Sequence, residues 1–199
     1  MYRRRSAFSW GAVLVLVILA VLHYYPNLKR QIGPLRPGGK VSAPVAVPGT
    51  APLEGPYFSD SDRVADRIIA AINHTKTSLD LAIFDLTHPA ITAALEDAQR
   101  RGVQVRIVAD QRQAAGTHSE IPFLTQRGIS VRLSRGYKGD RSLMHNKFAV
   151  FDGRLAVTGS FNWTTSADSY NFENAVFISD PTAVGRFTEA FARLWSQAA

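Results

Sequence analysis

"MHNKFAVFDGRLAVTGSFNW", residues 144–163, holds two strand-like runs and the turn between them. Residues 147–151 and 154–158 are rich in β-branched and aromatic types and flank Asp152-Gly153, a strong signal for a two-residue hairpin turn. With those two residues as the loop, Phe151 faces Arg154, Lys147 faces Thr158 and His145 faces Ser160. Opposed residues project to one side of a sheet, as do residues two apart on a strand. The expected register therefore gathers His145, Lys147, Thr158 and Ser160 on one face. Asp152 has the opposite parity, sits in the turn, and is expected to serve structure.

An imidazole, an ammonium and a hydroxyl on one face, followed by Gly159-Ser160 where backbone N–H groups can turn outward, describe a pocket for a tetrahedral oxyanion. Phosphate is the natural guest, and Asn162 adds an amide donor just past the strand end. A lone histidine on a strand is more often structural than catalytic. Five phosphate-compatible groups in register reverse that reading. Trp163 is open to two roles, stacking on a base or packing under the hairpin, of which packing is favoured.

His145-x-Lys147, Asp152 and Gly159-Ser160-x-Asn162, at these spacings, resemble the HKD motif of the phospholipase D superfamily, whose members cleave phosphodiester bonds. The resemblance extends over most of residues 57–199, including "RRGVQVRIVAD" at 100–110 and "NFENAVFISD" at 171–180, and points to small single-motif bacterial endonucleases. It implies a single-motif domain that pairs with a second copy to build one site. It also implies that Glu173 holds the other imidazole nitrogen of His145.

The remaining residues fit an α/β domain, a mixed sheet sandwiched by helices. Tyr57-Phe58 opens the sheet, and residues 59–61 offer N-caps for a helix burying Val64, Ala65, Ile68, Ile69 and Ile72. "SLDLAIF" at 78–84 reads as a strand, Pro89 starts a helix burying Ile91, Ala94, Leu95 and Ala98, and Gly102 ends it. "VQVRIVA" at 103–109 then pairs parallel to the earlier strand. A short helix near 119–127, strands at 129–133 and 173–179, and a last helix from Pro181 with Val184, Phe187, Phe191, Leu194 and Trp195 inward complete it. About 140 residues suffice for a core. His74, His88 and His118 are assigned structural or exposed positions, and Asp80, Asp85 and Asp110 no catalytic role.

Residues 1–56 differ in kind. Arg3, Arg4 and Arg5 precede eighteen uncharged residues, Phe8 to Tyr25, just long enough to span a bilayer as a helix. Without a good cleavage site after it, residues 1–25 read as an uncleaved signal anchor, with secretion after cleavage as the alternative. The leading arginines place the domain on the non-cytoplasmic side, periplasmic in a bacterium. Residues 26–56 hold seven of the ten prolines and five glycines and read as a tether.

The net charge of +7 is uneven: residues 1–56 carry seven basic residues against Glu54, residues 57–199 sixteen basic against fifteen acidic. Within the domain, Arg127, Arg132, Arg135, Lys138 and Arg141 cluster ahead of His145, where they would steer a polyanion. The absence of cysteine excludes a disulfide framework and a thiolate zinc site. No cofactor and no metal are expected, because side chains already supply the positive charge. Nucleic acid is the leading substrate and membrane phospholipid the alternative. One imidazole cannot attack phosphorus and protonate the opposite apical oxygen at once, so a homodimer is expected independently of the resemblance.

Overall fold

A computed structural model describes residues 55–199. The anchor expected over 1–25, and the tether up to residue 54, lie outside the described residues. No helix among the described residues is long and apolar enough to cross a membrane.

Among the described residues, seven strands form one mixed sheet: β1 (Tyr57–Phe58), β2 (Ser78–Ile83), β3 (Gln104–Asp110), β4 (Ser130–Ser134), β5 (Lys147–Phe151), β6 (Leu155–Gly159) and β7 (Asn174–Ile178). Their order across the sheet is β1-β7-β6-β5-β2-β3-β4. The β2, β3 and β4 strands run parallel, while β5, β6, β7 and β1 pair antiparallel. Helix α1 (Val64–His74) joins β1 to β2, and α2 (Pro89–Arg100), α3 (Gln111–Ala114) and α4 (Ile121–Gln126) lie in the crossovers that the parallel half needs. Two more helices follow, α5 (Thr165–Ser169) and α6 (Pro181–Gln197).

Period-two alternation divides the core between the two faces of the sheet. Leu79, Leu81, Ile83, Ile107, Ala149 and Phe151 pack with Ile68 and Ile72 of α1 and with Ile91 and Leu95 of α2. Ala82, Val108, Phe148, Val150 and Ala156 meet Val184 and Phe191 of α6, with Phe187, Leu194 and Trp195 at the margin. Asp80 shares this second face. Its carboxylate takes a two-pronged pair of bonds from Arg106, Nε at 2.8 Å and Nη2 at 2.7 Å, beneath the rings of Phe191 and Trp195. The charge is thus matched where it is buried.

Two local expectations are corrected, and one further turn is added. Residues 59–61 do not cap α1: Arg63 precedes it with φ of 50°, without a side-chain cap, and Asp62 Oδ2 accepts from Phe58 N instead. The α3 turn was not foreseen, and it forms because Asp110 caps it. The hairpin register is shifted by one. Asp152 and Gly153 do turn the chain, with φ of 51° and 63°, and Arg154 N bonds to Phe151 O. Arg154 then drops out of the ladder, so Phe151 pairs with Leu155, Ala149 with Val157 and Phe148 with Thr158. The expected pairing would have put Arg154 on the buried side with Phe151. Leaving it outside matches apolar with apolar, and a one-residue slip moves every side chain of the strand to the other face.

Candidate active site

The C-terminal ends of β1, β2, β3, β4 and β6 and the N-terminal ends of β5 and β7 all lie at one end of the sheet, as their pairings require. At the middle of that end, β5 begins at Lys147, with His145 exposed two residues before it. Phe84, just past β2, is the floor under both. Its ring centroid is 4.4 Å from that of His145, tilted by 59°, and 4.9 Å from Lys147 Nζ. Phe84 N donates to Asn146 O at 2.8 Å, which fastens the floor to the segment it supports. The imidazole and the ammonium of the motif therefore share one aromatic ring, a surface that attracts the ammonium and excludes water on one side.

Lys147 Nζ donates to His145 O at 3.0 Å. Partial burial lowers the pKa of Lys147, with the negative charges of Glu173 and Asp85 pulling it back. Asp85 is shifted the other way: burial raises it, against a hydrogen bond from the Leu86 backbone and the charge of Lys147. Asp85 thus belongs to the electrostatics of this site, a role not assigned from sequence. Its place directly after a strand was the available signal, but the strand that brings Lys147 to it is distant in the chain.

The register shift separates groups that were expected to share a face. Lys147 has the parity of Ala149 and Val157, whereas Thr158 opposes Phe148 on the α6 side. Ser160 directs its hydroxyl to Glu173, donating to Oε2 at 2.5 Å and accepting from Asn174 N at 3.1 Å. Glu173 Oε1 accepts from Asn171 Nδ2, and its backbone exchanges bonds with Ser59. The bond from Glu173 to the His145 ring implied by the resemblance is not made within the chain. Glu173 instead faces Ser160 and contributes charge near Lys147.

Gly159 is required for another reason than outward N–H groups: a Cβ there would collide with the Asn174 carbonyl. The close approach of β6 to β7 is what carries Ser160 to Glu173. Asn162 has a buried Oδ1 without a partner among the described residues. Such an orphan costs about 1–3 kcal/mol, which an N–H or O–H from a ligand, water or second chain would relieve. Trp163 is buried, and its carbonyl accepts from Thr87 N and His88 N, so it packs beneath the site. Asp152 lies at the far end of the hairpin. Its carboxylate accepts from the backbone N–H groups of Lys76, Thr77 and Ser78 and from the Thr77 hydroxyl.

The basic cluster is divided. Arg132 is spent on α6, with Nη1 donating to Trp195 O at 2.6 Å and its guanidinium over the Trp195 ring. Arg127 faces Glu96 and Phe123. Arg132 leaves the steering set because its guanidinium is held in the domain's own packing, while Arg127 is exposed and paired with Glu96. Arg135, Lys138 and Arg141 are exposed in the loop after β4, and Arg135 donates to Gln111 Oε1. That loop edges a cleft of about 670 Å³ lined in part by Tyr137, Leu143, Met144 and Asn146. Among the described residues, the other histidines are elsewhere engaged or exposed: His74 Nδ1 meets Ala70 O, His88 Nδ1 accepts from Ile91 N while its Nε2 faces Asp168, and His118 is exposed. Among the described residues, no group of three or more His, Cys, Asp or Glu is placed to hold a metal ion.

A single His-x-Lys pair at the end of a mixed α/β sheet, with a Gly-Ser-x-Asn strand end beside it, defines a domain of the phospholipase D type. The family described as "Cardiolipin synthase, PLD-like domain" matches residues 68–195, and the chain belongs to it and to the phospholipase D superfamily. Among curated relatives, the mitochondrial cardiolipin hydrolase of Homo sapiens is 39% identical over 131 residues, 66% of this chain and 50% of that protein. The protein of the same name from Chlamydomonas reinhardtii is 34% identical over 148 residues, 74% of this chain and 65% of that one. The chain thus spans between half and two thirds of the length of these two relatives. Nuc from Salmonella typhimurium, a phospholipase D family member of known crystal structure, superposes with a TM-score of 0.67 at 32% identity, covering 75% of this chain and 97% of Nuc.

Proposed function

We propose that this protein is a phosphodiesterase, acting first as a nuclease of low sequence specificity, whose active site is completed by a second copy of the same chain. The observation that carries this reading is the exposed imidazole of His145 seated with Lys147 on the Phe84 ring, with no second imidazole beside it among the described residues. His145 of one protomer attacks phosphorus and forms a phosphohistidine. The partner subunit's His145 protonates the departing oxygen, then takes a proton from the water that cleaves the phosphohistidine. Lys147 and Asn162 of both copies hold the non-bridging oxygens, with Ser160 joining them from its bond to Glu173. The reaction needs one neutral and one protonated imidazole at the same time, so the rate is expected to have a bell-shaped pH profile.

Support for the dimer comes from the surface. The five exposed large apolar side chains among the described residues, Phe58, Tyr137, Leu143, Tyr170 and Phe172, all lie at the site end of the sheet. Tyr137 is 95% and Phe172 89% exposed, on opposite flanks of His145. Apolar clusters of this kind mark interaction surfaces, and a two-fold interface centred on the site would bury them.

Phospholipid is the second reading, favoured by the relatives named mitochondrial cardiolipin hydrolase. The apolar run at residues 8–25, as an anchor, and the tether after it would hold the domain near a membrane on the non-cytoplasmic side. Incubating the purified chain with labelled DNA, RNA and phospholipid vesicles, in excess chelator, separates the readings. Nucleic-acid cleavage that weakens steeply with salt supports the nuclease. Headgroup release without nucleic-acid cleavage selects the lipase, and strict dependence on a divalent metal overturns the mechanism.

A further inference from the structure

His145 is outside the strand that follows it, so its position depends on how its neighbours are held. Asn146 O is tied to Phe84 N, and His145 O to Lys147 Nζ. On the other side, Met144 N donates to Asp110 Oδ2 at 3.0 Å, and the Met144 side chain is buried in the α6-side core. Asp110, the last residue of β3, is 1% exposed, and its Oδ1 accepts from Arg112 N at 3.0 Å and Gln113 N at 3.1 Å.

We propose that Asp110 is a positioning residue for His145, fixing the peptide immediately before the imidazole to the end of β3. A carboxylate suits this place because three backbone N–H groups converge on it from two directions. It offers an acceptor on each side, whereas an amide turns an NH₂ toward one of them. The proposal rests on reading His145 as the reacting group. Through Asp110, the first turn of α3 and the His145 segment are clamped to one strand end, so slack at this carboxylate becomes displacement at the ring. Misplacement of a reacting group by about 1 Å can cost about 10²-fold in rate.

The test compares Asp110→Asn with Asp180→Ala in the full chain. Asp180 caps α6 by accepting from Ala183 N and shares no hydrogen bond with β3 or Met144, so its loss reports general destabilisation. Well below either variant's Tm, Asp110→Asn is expected to lose about tenfold or more in kcat with KM within about twofold, in line with displacement of a reacting group. Its Met144 amide should exchange with solvent faster while Leu81 in β2 stays protected. Asp180→Ala should keep both kcat and Met144 protection. Unchanged kcat in Asp110→Asn, a loss equal to that of Asp180→Ala, or unchanged Met144 exchange overturns the proposal. If the unmodified chain cleaves no phosphodiester, the functional reading fails, and the exchange measurement still decides whether Asp110 holds this segment.

Discussion

The Phe84 ring lies 4.4 Å from the His145 ring, centroid to centroid, and Phe84 N bonds to the carbonyl of the residue after that histidine. An aromatic pair of this kind contributes about 0.5–1.5 kcal/mol beyond area burial. If that energy positions the imidazole, Phe84→Ala lowers kcat by about three- to tenfold through this lost contact. Phe84→Tyr keeps most of it. Steady-state kinetics on a labelled oligonucleotide checks both.

Lys147 loses its proton below the ordinary lysine value of 10.5, because partial burial disfavours the ammonium. The alkaline limb of the rate profile therefore contains loss of this charge as pH rises. Lys147→Arg keeps a positive charge throughout that range, so this further alkaline loss disappears while the part of the profile set by the imidazoles stays, at a lower maximal rate. Lys147→Met, which removes the donor outright, is expected to cost about 10²–10³ in kcat at neutral pH.

Mixed dimers test the shared site. Wild-type chains co-purified with a tagged His145→Ala partner should retain almost no turnover, because neither arrangement supplies both the nucleophile and the acid. Half of the wild-type rate in purified heterodimers would mean that each subunit owns a complete site.

Burial alone would raise the pKa of Asp152, but the hydrogen bonds from Thr77, Ser78 and Lys76 outweigh it and bring it below the ordinary 3.8. A lowered carboxylate pKa stabilises the fold above the ordinary value, and this contribution is lost as pH falls through the folded-state value. Asp152→Asn should thus cost about 1–2 kcal/mol at neutral pH. Urea denaturation curves of variant and wild type should converge in acid. Catalysis should change little, since this carboxylate sits at the opposite end of the hairpin from His145.

Salt dependence should divide the arginines and lysines ahead of His145. Lys138→Ala with Arg141→Ala should flatten the slope of log affinity for DNA against log salt by up to about two, near 0.9 per lost phosphate contact. Arg132→Ala should leave that slope alone and lower the Tm, as its guanidinium packs on Trp195.

The residues near one another in the chain were legible because their chemistry is periodic. Alternation in 78–83 and 104–110, the apolar stripes of α1, α2 and α6, and the spacing from His145 to Asn162 specify a mixed α/β sheet and the phospholipase D motif without coordinates. What tertiary structure alone decided is which groups meet. Local turn chemistry favoured Phe151 opposite Arg154, and only burial of that face explains why Leu155 takes the place, taking Thr158 to the opposite side from Lys147. Phe84 under His145, Asp85 near Lys147 and Asp110 on Met144 join segments far apart in sequence. Periodicity tells a strand which of its faces is apolar. It carries no information about which distant backbone will arrive at its end, and at that end the proposed chemistry takes place.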